Sequence, residues 1–405
     1  MAIRQWVGVI ASVVPLVVCA DPKLEHAARG AAAPVSSMPA PPPRGRNGPP
    51  TRYYVDPKGA DSNRGTRAAP FKTIQRAADM AGPGDTVFVG PGRYTGPDRI
   101  VSVSRGGTPR GWLTFMAEPS GEAVLDGRNG QSHEAWYFGP EVGYVRVEGF
   151  EITGLQEHGF DTYGGGVHDL LIARNHVHHI GRNCTNTNNG RTGASLGAGT
   201  HRVTFDGNLW HDIGRFAPGE SGCTPANENY QNHDHGIYVA DADEITITNN
   251  VFYNFTRGWA VHRYYSRGSL SHGLIIVNNT FVGKNPYRPG QIILATPTEG
   301  LRIENNIFYG PEEAGLDFEN LEFSGASVRN NMTFGAVTKV GRPGGVTFSK
   351  NWEKTDPRMV GGTDFHLRSD SPAIDVGLPE PAVTHDADGV IRPRGMGYDL
   401  GAYEH

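Results

Sequence analysis

Apolar and polar residues alternate at period two in short stretches, and six of these stretches share one ending. LLIARNHV (170–177), VTFDGNLW (203–210), ITITNNVF (245–252), LIIVNNTF (274–281), LRIENNIF (301–308) and ASVRNNMT (326–333) each reach an Asn followed within two residues by an apolar side chain. The aligned positions are Asn175, Asn208, Asn250, Asn279, Asn306 and Asn331, and a weaker copy, VRVEGFEI (145–152), puts Gly149 in the slot. Val, Ile, Thr and Phe dominate, so the unit is a strand rather than a helix. Successive slots lie 25 to 42 residues apart, so a basic unit of about 25 residues carries two larger insertions. A repeat this short cannot bury its apolar face alone and must stack on its neighbours.

Several short strands per repeat with no amphipathic helix between them predict an all-β chain coiled as a single-stranded parallel β-helix spanning 85–345, right-handed by the resemblance given below. The Asn slot suits a tight bend, because Asn tolerates left-handed backbone angles and its side chain can bond from turn to turn. The β-helix domain is expected over 51–350, closed by a terminal module over 351–405.

The N-terminus adds an export signal to this picture. Residues 1–20 carry Arg4, the apolar run WVGVIASVVPLVV and a small-residue exit at Cys19-Ala20; the run is too short to span a bilayer and reads as a cleaved signal peptide. Lipid anchoring through Cys19 is the alternative, for which Val18 is a poor preceding residue. The Ala/Pro-rich residues 21–50 read as a disordered tether. The expected location is therefore outside the cytoplasm, secreted or periplasmic, with no transmembrane segment in the mature chain. A net charge of −5 gives no electrostatic case for nucleic acid. A monomer is expected.

The segment YYVDPKGADSNRGTRAAPFKTIQRAADMAGPGDTVFVGPGRYTG (53–96) resembles the opening of bacterial right-handed β-helix proteins of the pectate-lyase-like superfamily, including family 9 polysaccharide lyases. The resemblance implies a short N-terminal capping helix within PFKTIQRAADMA. The end of the chain, SPAIDVG and HDADGVIRPRGMGYDLGAYEH, is similar to the terminal module of many secreted β-helix proteins, termed a choice-of-anchor domain. This superfamily includes lyases, hydrolases and proteins without catalysis, so the resemblance speaks for fold more than reaction.

Two insertions mark the candidate site: GRNCTNTNNGRTGASLGAGT, after the Asn175 strand, and RFAPGESGCTPANENYQNHDHG, after the Asn208 strand. Long polar loops leaving one side of a rigid coil are where binding residues tend to lie. Cys184 and Cys223 fall one in each loop, and in an exported protein they are expected to pair. Aligning Asn175, Asn208 and Asn250 also brings Arg182, Arg215 and Arg257 into one register. With strands ~4.8 Å apart, that ladder suits successive carboxylates of an acidic polymer. The same alignment stacks His178, His211 and Tyr253, then His179, Asp212 and Asn254. The alternative is that HHIGR and HDIGR are turns whose side chains satisfy local backbone groups.

A second column comes from GFDT (159–162), GIYV (236–239), AVHR (260–263) and GLDF (315–318), whose third residues, Asp161, Tyr238, His262 and Asp317, should share an outward face. Asp234 and His235 sit at the lip of the longer loop, and Arg263 or Tyr264 completes the group according to register. A uronate lyase must remove the proton beside a carboxylate, which requires a base and a group that neutralises that carboxylate. The family 9 resemblance implies a Lys base and a calcium held by Asp residues. This chain departs from it, because no Lys occurs between Lys72 and Lys284, while 11 of 16 His lie within 158–272. The expected catalytic set is therefore His235, Tyr238, His262, Arg263 and Asp234, with Arg182, Arg215, Arg257, Asp161 and Tyr264 binding an acidic polysaccharide cleaved by β-elimination. Asp234, Asp241 and Asp243 are the candidate calcium ligands, and His233 with His235 a weaker zinc pair. Two other function classes stay open: a glycosidase using two of Asp161, Asp234 and Asp241, and a non-catalytic surface protein stacking sugars on Trp210, Trp259, Tyr264 and Tyr265.

Overall fold

The computed structural model of the 405-residue chain describes residues 50–185, 187–197, 199–217, 219–224, 233–255, 257–265 and 270–405; the expected signal, Cys19 and the tether up to residue 49 lie outside these. Every turn is laid down in the same way. Strand His168–Ala173 pairs in parallel with Gly143–Glu148 and His201–Asp206. Past the bend at Asn175, His176–His178 pairs with Glu151–Thr153 and Leu209–His211. A longer arc then leads to Arg191–Leu196, which pairs with His158–Asp161 and Asp234–Ala240. Consecutive strands thus enter different sheets, and the described residues build parallel sheets of 13, 10 and 9 strands, here called the first, second and third. This is the parallel β-helix that the repeat predicts, right-handed as the family resemblance implies.

The bend is built by two residues. The one before each slot takes the left-handed conformation, as at Arg174 (φ 50°), Asn249 (φ 56°), Asn278 (φ 55°), Asn305 (φ 56°) and Asn330 (φ 54°). The slot Asn itself is buried and points into the wall, so the left-handed role assigned to it falls one residue earlier. Asn208 Oδ1 accepts from the backbone N and the Nδ2 of Asn175, while Asn208 Nδ2 donates to Ile172 O at 2.9 Å. The pattern repeats through Asn250, Asn279, Asn306 and Asn331 and ends on Asn351. Each side chain thereby pairs polar groups that the bend would otherwise leave unsatisfied. Register corrects the weak copy as well. Ala173 lies opposite Glu148 and His176 opposite Glu151, so Phe150, not Gly149, occupies the slot. Phe150 N donates to Asn175 Oδ1, and the ladder starts there because Phe offers no acceptor of its own.

Inside the coil, Trp210, Phe252, Phe281 and Phe308 are register partners, their rings stacked at 6.0, 4.8 and 5.2 Å. Burying each stabilises the fold by about 2–3 kcal/mol. Trp210 is fully enclosed here, which removes it from any sugar-stacking role. Near the start of the coil, helix Ile74–Met80, N-capped by Thr73, buries Ile74, Ala77 and Ala78. No helix among the described residues is long and apolar enough to cross a membrane.

The last stretch of the chain runs back along the bends rather than extending the stack. Asn249, Asn278, Asn305 and Asn330, the left-handed partners of the slots, donate through Nδ2 to the carbonyls of His385, Asp399, Leu378 and Val376. The Asn-Asn pairs in the repeats therefore have two jobs: the second residue ties turn to turn, and the first ties the coil to the C-terminal segment.

Candidate functional site on the third sheet

In the third sheet Phe160, Ala194, Ile237, Val261, Ile292 and Leu316 form one inward column. The next residue of each strand turns the other way, giving the register column Asp161, Ser195, Tyr238, His262, Ile293 and Asp317. The four residues aligned by sequence do share it. Ser195 and Ile293 stand between them, since RTGASL and GQIIL lack the alternation by which a strand is read.

The centre of this face is an aromatic and imidazole cluster. His262 Nδ1 lies 3.0 Å from His235 Nε2, and the backbone N–H of Trp259 donates to His235 Nδ1 at 3.3 Å. Those contacts settle the tautomers: His235 Nδ1 accepts, so its proton sits on Nε2 and is given to His262 Nδ1, leaving the His262 proton on Nε2. The Tyr238 ring is 5.2 Å from His262 and 5.3 Å from His235. Tyr264 is 6.2 Å from His262. Burial, and then the charges of Arg288 and His233, pull the His262 pKa down to about 3, so it stays neutral. Arg288 lies 4.6 Å over the Trp259 ring, itself 5.2 Å from His262. Arg288 belongs to the site and was not found from sequence, because it lies in a loop outside every repeat.

Towards the N-terminal turns the face becomes acidic. Asp161, 6% exposed, accepts from the Tyr163 backbone N–H, yet burial and the neighbouring Glu134 raise its pKa to about 7. Arg99 holds Glu134 at 2.6 Å and covers the Tyr137 ring at 3.6 Å. A carboxyl with folded pKa raised from 3.8 favours the folded state most below pH ~4, and that contribution is lost as pH rises to about 7. Asp161→Asn should therefore flatten the melting-temperature profile between pH 4 and 7 and leave the variant the more stable form above it. Parallel profiles for parent and variant would refute a buried, proton-sharing Asp161.

Other expected site residues are committed elsewhere. Asp234 and Arg215, both 0% exposed, form a two-pronged pair at 2.8 and 3.0 Å, and Asp234 also accepts from the backbone of Arg191 and Arg215. Glu220 draws in both Arg182, at 2.6 Å, and Arg257. Burial and the Arg182 charge lower Arg257 to about 10. The expected guanidinium ladder is instead an internal network under the loops, since three stacked cations need anions between them more than solvent. Arg263 also faces inward at 0% exposure: it follows His262, sits in register with Val239 and Leu294, and bonds Ser271, Ala242 O and Asp243. Cys184 and Cys223 are joined, their Cα atoms 5.5 Å apart.

The calcium set does not fit either. Asp234 opens strand Asp234–Ala240 and Asp241 follows it, putting them about 23 Å apart at ~3.3 Å per residue. Asp243 serves Arg263 and the backbone of His272. Among the described residues, one group of three or more His, Cys, Asp or Glu has converging ligand atoms, namely His179, His211 and Asp212, and it lies on another sheet.

Comparison with known proteins agrees with the coil. A family model described as Pel9A-like, right handed beta helix region, matches residues 53–254, and one for the right handed beta helix region matches 216–354. Pectate lyase PEL9 of Emericella nidulans is 34% identical over 74 residues, 18% of each chain. Pectate lyase L of Dickeya chrysanthemi is 23% identical over 314 residues, 70% of this chain and 64% of that protein. The chain thus spans less than two thirds of either relative. The crystal structure of pectate lyase Pel9A superposes with a TM-score of 0.50 at 16% identity, covering 88% of this chain and 97% of that one. The protein is a right-handed parallel β-helix, half of which matches the Pel9A-like family model.

Proposed function

We propose that this protein is an exported polysaccharide lyase that cleaves a uronate-containing polymer by β-elimination on the outer face of the third sheet. The observation that carries this reading is the rung Tyr238–His262, with His235 behind it and Arg288 beside it. His235 is 1% exposed with both ring nitrogens engaged, so it positions His262 and is not itself the base. The His262 Nε2–H and the Arg288 guanidinium supply the donor and the positive charge that a uronate carboxylate needs while the C5 proton leaves. Tyr238 Oη is the proton carrier. As phenolate it takes the proton from C5, the electron pair forms the C4–C5 double bond, and the C4–O bond breaks. The departing oxygen then takes the proton back from Tyr238. The pectate lyases among its relatives favour pectate as first substrate to test.

Asp161 supports a second reading. A carboxyl with pKa about 7 is suited to general acid catalysis, so a glycosidase using it would work on the same face, two rungs from Tyr238. Purified protein incubated with pectate, alginate and glucuronan separates the two. The ultraviolet absorbance of an unsaturated uronate is the expected result; new reducing ends without it would establish hydrolysis and remove the lyase reading.

A further inference from the structure

Away from that face, the second sheet carries four histidines in mutual contact. His176, His178, His179 and His211 come from two adjacent turns, where His176 is paired with Leu209 and His178 with His211. The rings of His178 and His211 stack at 4.9 Å and 3°, and His176 lies 4.3 Å from His178 and 5.0 Å from His211. Nitrogen faces nitrogen twice: His176 Nε2 to His211 Nε2 and His178 Nδ1 to His179 Nδ1, each at 2.7 Å. Asp212 Oδ2 is 2.6 Å from His211 Nδ1, and Glu151 Oε1 is 3.4 Å from His178 Nε2.

We propose that His179, His211 and Asp212 form a binding site for a zinc-class divalent cation, with water as fourth donor. The ligand atoms of His179, His211 and Asp212 all lie within 4.8 Å of one another. In a tetrahedral site with metal–nitrogen bonds of about 2.0–2.1 Å, donors are ~3.3 Å apart, so binding would draw the side chains together by up to about 1.5 Å, within reach of rotamer adjustment. Two imidazoles and a carboxylate favour zinc, copper or nickel over calcium or magnesium. The backbone is shaped for the purpose too. His179 (φ 53°) and Asp212 (φ 51°) are the left-handed residues where each arc begins, and the two loops joined by Cys184–Cys223 spring from those arcs. A bound ion would tie the bases of both loops together.

The test is equilibrium dialysis of the full chain against ZnCl2 with excess CaCl2, followed by metal analysis, and the visible spectrum after Co2+ loading. One zinc per chain and the absorbance of tetrahedral Co2+ are expected. Asp212→Asn and His179→Asn keep residues that accept left-handed angles, so both should fold with the parent's metal-free melting temperature. Loss of a supporting partner alone costs about 10–100-fold in affinity, so loss of a ligand should cost about 100-fold or more. No stoichiometric zinc on the parent, or zinc retained unchanged by both variants, would overturn the site. The readout is metal content and not turnover, so it is independent of the lyase reading.

Discussion

Asn250→Ala is expected to cost about 4 kcal/mol, read as a lower denaturant midpoint at unchanged slope. Asn250 Oδ1 accepts from Asn208 N, Asn208 Nδ2 and Trp210 Nε1, while its Nδ2 donates to Phe205 O, Thr248 O and Asn279 Oδ1. Alanine leaves several of these groups buried without partners, and each orphan costs about 1–3 kcal/mol. Ladder neighbours on both sides lose a bond, so the damage spreads over three turns. The contrast is Asn254→Gly on the exposed arc after Val251–Tyr253: Asn254 is left-handed at φ 55° and glycine takes that conformation freely, so the change should stay under about 1 kcal/mol. Equal costs for the two variants would show that the ladder contributes no more than turn geometry.

Tyr238→Phe should lower turnover on a uronate polymer by about two to four orders of magnitude while polymer binding is retained, because the variant keeps the ring and loses only the proton carrier. His262→Ala should fall in the same range, since it removes the Nε2–H donor and frees His235 from its partner. Arg288→Ala should act through the carboxylate, reducing kcat/KM most on fully acidic polymer and least on esterified polymer. Arg263→Ala belongs to a different class: its guanidinium is buried among Ser271, Ala242 and Asp243, so the loss should appear as lower stability. Full activity in Tyr238→Phe would remove Tyr238 as proton carrier and leave the acid at Asp161 as the group to pursue.

The column Asp161, Tyr238, His262 and Asp317 was legible because a parallel coil makes residues at equivalent repeat positions into neighbours. The same logic misled at the arginines. Register placed Arg182, Arg215 and Arg257 close together, but closeness does not say which way a side chain turns, and Glu220 and Asp234 drew these cations under the loops. Arg263 failed for a related reason: in a strand with His262 facing out, its successor must face in. Arg288 carried no signal at all, being brought to the site only by the path of a loop.

The period-two alternation and the repeated Asn by themselves determined the coil and the alignment of its turns, because a strand repeat of about 25 residues buries its apolar face by stacking on its neighbours. Only the tertiary structure decided which polar residues are committed to internal bonds and which line the face of the third sheet. Desolvation, ion pairing and hydrogen-bond satisfaction depend on neighbours far apart in the chain. That is why Asp234 became the buried partner of Arg215, the first Asn of each pair a clasp for the C-terminal segment, and His179, His211 and Asp212 a cluster across two turns.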